Sequence, residues 1–275
     1  YPNLPQSRTW TINQRELTFS LGTMSDLQSY TYNADHQGLT TIRVNGESGD
    51  SGLLSGDSVQ ASWSVVRSGN TDVFRAGTAN VTISSNNNVE GLNSINHGTY
   101  TATVTLNDNT NYKAAEKSVS WIIKKYSLNF SDLAGGKKEY DGTAVTPTLK
   151  VNGVEITNGQ YAPLGEIINI VYSIKEGNTN HNSLVNVGTY EISVSGNTAI
   201  TSDSVRDNMN VADNYEVSGS LSADYEITPR QIKLTWETTE SFVFNDKEQG
   251  LRMLRVDGIN GTGKLAVKTN TSTIN

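Results

Sequence analysis

Five aspartates set in loops rich in oxygen donors are the side chains of this sequence best placed to do chemistry. Asp50 and Asp57 belong to the stretch that begins Asn45-Gly46-Glu47-Ser48-Gly49, and Asp203, Asp207 and Asp213 share a second loop with Asn210. Flexible loops of carboxylates, amides and carbonyls suit hard cations such as Ca2+. Neither stretch has the EF-hand spacing, and solvated turn carboxylates are the plainer reading. The expectation is therefore no cofactor, with calcium the one ion whose ligands are present. Trp236 is a second kind of candidate, because an exposed indole face stacks on sugar rings; a packing role is again the plainer reading.

Catalysis has little to start from. His36, His97 and His181 stand in turn-like or repeat-edge contexts with no nucleophile motif beside them. Glu237 and Glu240 could imitate a glycosidase pair, but with 28 Asp and Glu residues an accidental pair is expected. Cysteine is absent, which removes disulfides, thiolate metal sites and cysteine nucleophiles together. The formal charge of −7 and the lack of any lysine or arginine cluster argue against a nucleic-acid partner. No apolar run reaches the ~20 residues of a membrane-spanning helix. The expectation is a protein that is not an enzyme.

The elements that must position these residues are written as a repeat. Trp10-Thr11-Ile12 followed by Leu17-Thr18-Phe19 returns as Trp121-Ile122-Ile123 with Leu128-Asn129-Phe130, and again as Tyr225-Glu226-Ile227 with Ile232-Lys233-Leu234. His97-Gly98-Thr99-Tyr100 with Asn111-Tyr112 returns as Val187-Gly188-Thr189-Tyr190 with Asn214-Tyr215. A third signature runs Tyr32-Asn33, then Tyr140-Asp141-Gly142, then Phe244-Asn245. Three signatures in one order, with aromatic anchors 111 and 104 residues apart, describe one small domain per period. The chain divides into repeat 1 at 1–123, repeat 2 at 124–229 and an incomplete third repeat at 230–275.

Within each repeat the apolar period is two. Tyr100, Ala102, Val104 and Leu106 alternate with threonines, and Tyr190, Ile192 and Val194 alternate with Glu191, Ser193 and Ser195. These are half-buried antiparallel strands. The boundary segments around Trp121 and Tyr225 alternate likewise, each closing one module and leading at once into the next. Helical windows are broken throughout by Thr, Val, Ser, Gly and Asn. Apolar content of 35% suits thin sheets with one wet face. The fold class is all-β, as tandem β-sandwich modules; β-grasp modules are the alternative and require a true helix per repeat. Trp10, Trp63 and Trp121 read as core or inter-module packing. The middle strands, Val59–Val66 and Ile168–Ile174, differ in apolar phase by one residue, through a bulge or a one-residue gap.

Glu139-Tyr140-Asp141-Gly142-Thr143, then Val187-Gly188-Thr189-Tyr190, Asn214-Tyr215 and Tyr225-Glu226-Ile227-Thr228-Pro229 resemble the tandem Ig-like or MBG-type repeats of bacterial cell-surface proteins and adhesins. The resemblance implies a structural segment of an extracellular bacterial surface protein, a stalk or spacer in an adhesin or surface assembly. Its implied partners are neighbouring modules of the array, further copies in self-assembly, and, in the alternative reading, glycans or host surface proteins bound by an adhesin module. The structural motif residues are then Trp10, Tyr32, Tyr100, Trp121, Tyr140, Gly142, Tyr190 and Tyr225. Repeat 1 departs from the pattern at Ala34 and by its Asn45–Asp57 insertion, repeat 2 by the stretch between Gly196 and Asn214. An exposed aromatic beside either insertion would favour binding, and a smooth polar surface would favour a stalk.

Overall fold

The computed structural model describes residues 7–22, 24, 26–69, 73–236, 241, 243–247 and 254–257, and of 73, 84–86, 233–236 and 254–257 the backbone alone. Two compact units share the chain in interleaved stretches. Unit 1 holds 1–127, 162–168 and 202–216; unit 2 holds 128–161, 169–201 and 217–275.

The alternating strand Gly98–Leu106 is central in unit 1. Its inward residues Tyr100, Ala102, Val104 and Leu106 are almost fully buried, and its threonines face outward. The principal sheet runs Gln28–Thr31, Ala115–Lys124, Gly98–Leu106, Ser58–Arg67, Val73–Thr82, parallel at the first pairing and antiparallel elsewhere. A second antiparallel sheet joins Phe19–Ser20, Thr41–Val44 and Ser84–Asn88. Phe19, Ile42 and Val44 bring its apolar side chains into the core with Val59, Ala61, Val65 and Val81 of the principal sheet. Two thin sheets closed over one core make an immunoglobulin-like β-sandwich.

Unit 2 repeats the principal sheet strand for strand: Gly136–Glu139, Ser220–Thr228, Gly188–Ser195, Ser173–Glu176, Thr179–His181, again parallel only at the first pairing. Its second sheet joins Val154–Ile156, Leu149–Val151 and the part of Tyr126–Leu133 from Leu128 onward. Registers agree between repeats. Tyr100 lies opposite Trp121, and Tyr190 opposite Tyr225. Phe19 lies opposite Val44, Phe130 opposite Val151 and Leu234 opposite Val256, so the third repeat opens with the same strand pairing. Both repeats also carry a tyrosine corner, in which the tyrosine hydroxyl donates to a carbonyl four residues upstream: Tyr100 to Asn96 and Tyr190 to Asn186, each at 2.9 Å. No α-helix occurs among the described residues, only the 3-10 turns Asn197–Ala199 and Val211–Asn214, and a β-grasp module has no helix to build on.

The phase slip arises after the middle strand and not within it. Ala102 faces Val65 and Ile192 faces Ile174, which makes Val65 and Ile174 equivalent, while the Gly69-Asn70 and Gly177-Asn178 turns are one residue out of step. The extra residue falls after Arg67, where the strand ends; the bulge opposite Val65 and Val66 belongs to the neighbouring strand, whose Arg75 and Val73 are their partners. Two motif aromatics lie outside the buried cores. Trp10 is 79% exposed, because residues 7–14 pair with no strand of unit 1; Tyr140 is 37% exposed where its counterpart Tyr32 is 1%.

Candidate functional site

The repeat signatures converge on one buried polar cluster in unit 1. Tyr32 ends the stretch after Gln28–Thr31 and is anchored by its amide to the Lys124 carbonyl at 2.8 Å. Its hydroxyl donates to Glu166 Oε2, which also accepts from the Tyr215 hydroxyl at 3.1 Å. Arg206 Nη1 lies 2.8 Å from Glu166 Oε1 and donates to the Ala34 carbonyl at 3.0 Å. The Glu166 side chain is only 9% exposed. A carboxylate so buried persists because charge and hydroxyls answer its oxygens; losing a partner from such a pair costs roughly 3–5 kcal/mol. Tyr215 meets Tyr32 and Tyr126 edge-on, with ring centroids 5.6 and 5.9 Å away.

A second layer continues through amides. Asn214 Oδ1 accepts the His97 backbone N–H at 2.8 Å, Asn214 Nδ2 donates to Asn96 Oδ1 at 2.9 Å, and Asn96 Nδ2 donates to the Arg206 carbonyl at 2.7 Å. Arg67 donates to the His97 carbonyl at 2.8 Å, and Arg75 pairs with Asp207. Burial, then the hydrogen bond and charge of Glu166, push the Tyr32 hydroxyl far above the ordinary phenol range. Burial, then the Glu166 charge, do the same for Tyr215. Burial, followed by nearby Lys125, lowers the His97 imidazole, holding it neutral. The chemistry of this arrangement is cohesive: each named group answers another side chain or the backbone.

The cation candidates are dispersed. Among the described residues no three Asp, Glu or His side chains group in a way that could hold a metal ion. Asp57 accepts from the Tyr112 hydroxyl and Asp207 is paired with Arg75, while Asp50, Asp203 and Asp213 are exposed. The Asn45–Asp57 loop does wrap a cation, but it is the chain's own. Arg15 donates to the carbonyls of Gly49, Ser51 and Gly52 at 2.6, 2.8 and 2.8 Å. Sequence reading missed Arg15 because it stands in the first strand, far from the loop in sequence. The side chain of Trp236 and the pair Glu237 and Glu240 lie outside the described residues.

The remaining motif residues are structural in their contacts. Trp121 is fully buried and stacked on Tyr100, centroids 5.6 Å apart; Tyr190 is buried and Tyr225 half-buried in the equivalent pair. In the third signature an Asx turn recurs: Asn33 Oδ1 accepts from the Asp35 amide, Asp141 Oδ1 from Thr143 and Asn245 Oδ1 from Lys247. The residue between is left-handed each time, at φ 65° for Ala34, 79° for Gly142 and 58° for Asp246. Lys138, then Thr143, lower the Asp141 carboxyl well below the usual range.

Beside the first insertion the surface is polar, whereas the second exposes Val205. A cleft of about 390 Å3 runs along Gly56–Ser58 and Asn109–Tyr112, and its aromatic, Tyr112, is 2% exposed. Tyr215, at the end of the second insertion, is fully buried. No helix among the described residues is long and apolar enough to cross a membrane.

No family model and no curated protein matches this sequence. Among solved structures the chain is similar to the fibronectin(III)-like modules of Clostridium thermocellum CbhA, at 10% identity over 77% of this chain and 95% of that chain, with a TM-score of 0.21.

Proposed function

We propose that this chain is a non-catalytic structural segment of a bacterial surface protein, an array of immunoglobulin-like modules that spaces or assembles an extracellular structure. The observation that carries the reading is the use made of the signatures: Tyr32, Tyr100, Trp121, Tyr190 and Tyr215 spend their aromatic surface and hydroxyls on internal packing and hydrogen bonds. A repeat kept for its packing is a repeat kept as a building block. The aromatics beside both insertions are buried, so the surface most open to specialisation offers no stacking platform for a sugar.

Residues 1–275 presented to glycan and matrix-protein arrays, with Ca2+ and with chelator, test the reading. The expected result is no reproducible binding in either condition. Binding that vanishes when Asn45–Asp57 or the Gly196–Asn214 stretch is replaced by a short turn would overturn it in favour of an adhesin module.

A further inference from the structure

We propose that residues 7–14 are a docking strand, which takes the closing-strand place in another module of the same repeat carried ahead of Ser7. The motive is a mismatch between pattern and burial. Trp10 and Ile12 are spaced as Trp121 and Ile123 are, and stand the same distance ahead of the first strand of a sandwich, Arg15–Glu16 in one case and Tyr126–Leu133 in the other. Trp121 and Ile123 are 0% and 1% exposed, whereas Trp10 and Ile12 are each 79% exposed. A period-two apolar pattern is a strand pattern with one face to bury.

The geometry around Trp121 defines what a receiving module must offer. Trp121 lies in Ala115–Lys124, antiparallel to the GTY strand on one side and parallel to Gln28–Thr31 on the other. Tyr100 stacks on its indole, and Gly38, at φ 115°, leaves the ring its room. The same place in unit 2 is filled by Tyr225 and Ile227, opposite Tyr190 and Gly188. A receiving module therefore has a GTY-type tyrosine, a small residue under the indole and two open strand edges. Arg8 falls at the position of Val119 and of half-buried Ala223, toward the strand's outer end, where its stem can pack while its guanidinium stays wet. This inference rests on the array reading, but the two fail separately: glycan binding at an insertion would change the function and leave strand docking measurable.

The test is a longer chain in which residues 1–117 precede residues 7–275, so that a copy of Ser7–Gln14 follows Lys117 where Ser118–Lys125 normally does. The expected result is hydrogen-exchange protection of that junction copy by about 100-fold or more over the N-terminal copy in the same molecule, abolished by Ile12→Asp in the junction copy alone. A second chain, 1–125 followed by 15–275, keeps the native closing strand at the junction. If its added module folds and the first chain's does not, the proposal is overturned. If neither added module folds, Val119→Arg, Ser120→Thr, Ile122→Thr and Lys124→Asn together in the 275-residue chain decide, by writing the docking sequence into the closing strand. Retained burial of Trp121 upholds the proposal, and unfolding overturns it. A concentration-dependent dimer of the 275-residue chain that Trp10→Ala dissolves would also overturn it, in favour of a second copy as the partner.

Discussion

At the scale of single residues, Ala34 carries a cost that its counterpart does not. It sits at φ 65°, where Gly142 stands in repeat 2, and a Cβ in the left-handed region costs about 1–2 kcal/mol. Ala34→Gly is expected to stabilise unit 1 by about 1 kcal/mol after the glycine's extra chain entropy is subtracted, read as a raised midpoint in urea unfolding. The tyrosines set a second expectation. Burial raises the hydroxyls of Tyr32 and Tyr215 above the ordinary value near 10. The unfolded chain therefore ionises first as pH rises, so their contribution to stability is intact below about pH 10 and is lost progressively above it. Absorbance at 295 nm should show these two silent until the fold melts. A smooth, reversible titration of all 12 tyrosines near pH 10 would contradict the burial that raises them.

At the scale of elements, the closing strand depends on close approach by glycine. A Cβ on Gly38 would stand 2.5 Å from the Trp121 ring, and the backbone there is left-handed as well. Gly38→Ala is expected to destabilise unit 1 by about 2–4 kcal/mol, from strain and displaced indole together. Gly77 and Gly91 flank Trp63 in the same way, at 2.6 and 2.7 Å. Gly77→Ala lacks the positive φ, so the loss should be smaller, about 1–3 kcal/mol. Chemical denaturation of both variants checks the order, and equal losses would contradict the part assigned to backbone strain. These strands were legible in the sequence because alternation marks a half-buried sheet directly. The extra residue after Arg67 was not, since a one-residue slip looks the same in sequence whether it falls within a strand or in the turn that follows it.

At the scale of the whole molecule, Glu166 decides how firmly 162–168 and 202–216 belong to unit 1. Glu166→Gln removes the charge that faces Arg206 and weakens two tyrosine hydrogen bonds. Because Arg206 is 37% exposed and partly screened, the expected loss is about 2 kcal/mol rather than the full value for a buried pair. Hydrogen exchange should quicken by roughly tenfold or more in 162–168 and 202–216, with Gly98–Leu106 unchanged. Uniform acceleration across unit 1 would mean that the cluster supports the whole sandwich instead of fastening these two segments to it.

Periodicity, turn chemistry and composition were enough to determine the all-β class, the repeat, the alternating faces and the tyrosines that fill the cores, because each is a local consequence of side-chain type and spacing. The sequence also marked both insertions as special, but not what they do. The tertiary structure alone decided that Arg15 would fill the oxygen-rich loop, that Glu166 and Asn214 would join Tyr32 and His97, and that Trp10 would remain in solvent while Trp121 did not. Those outcomes depend on which distant segments meet, and burial and pairing at long range leave no period in the chain to read.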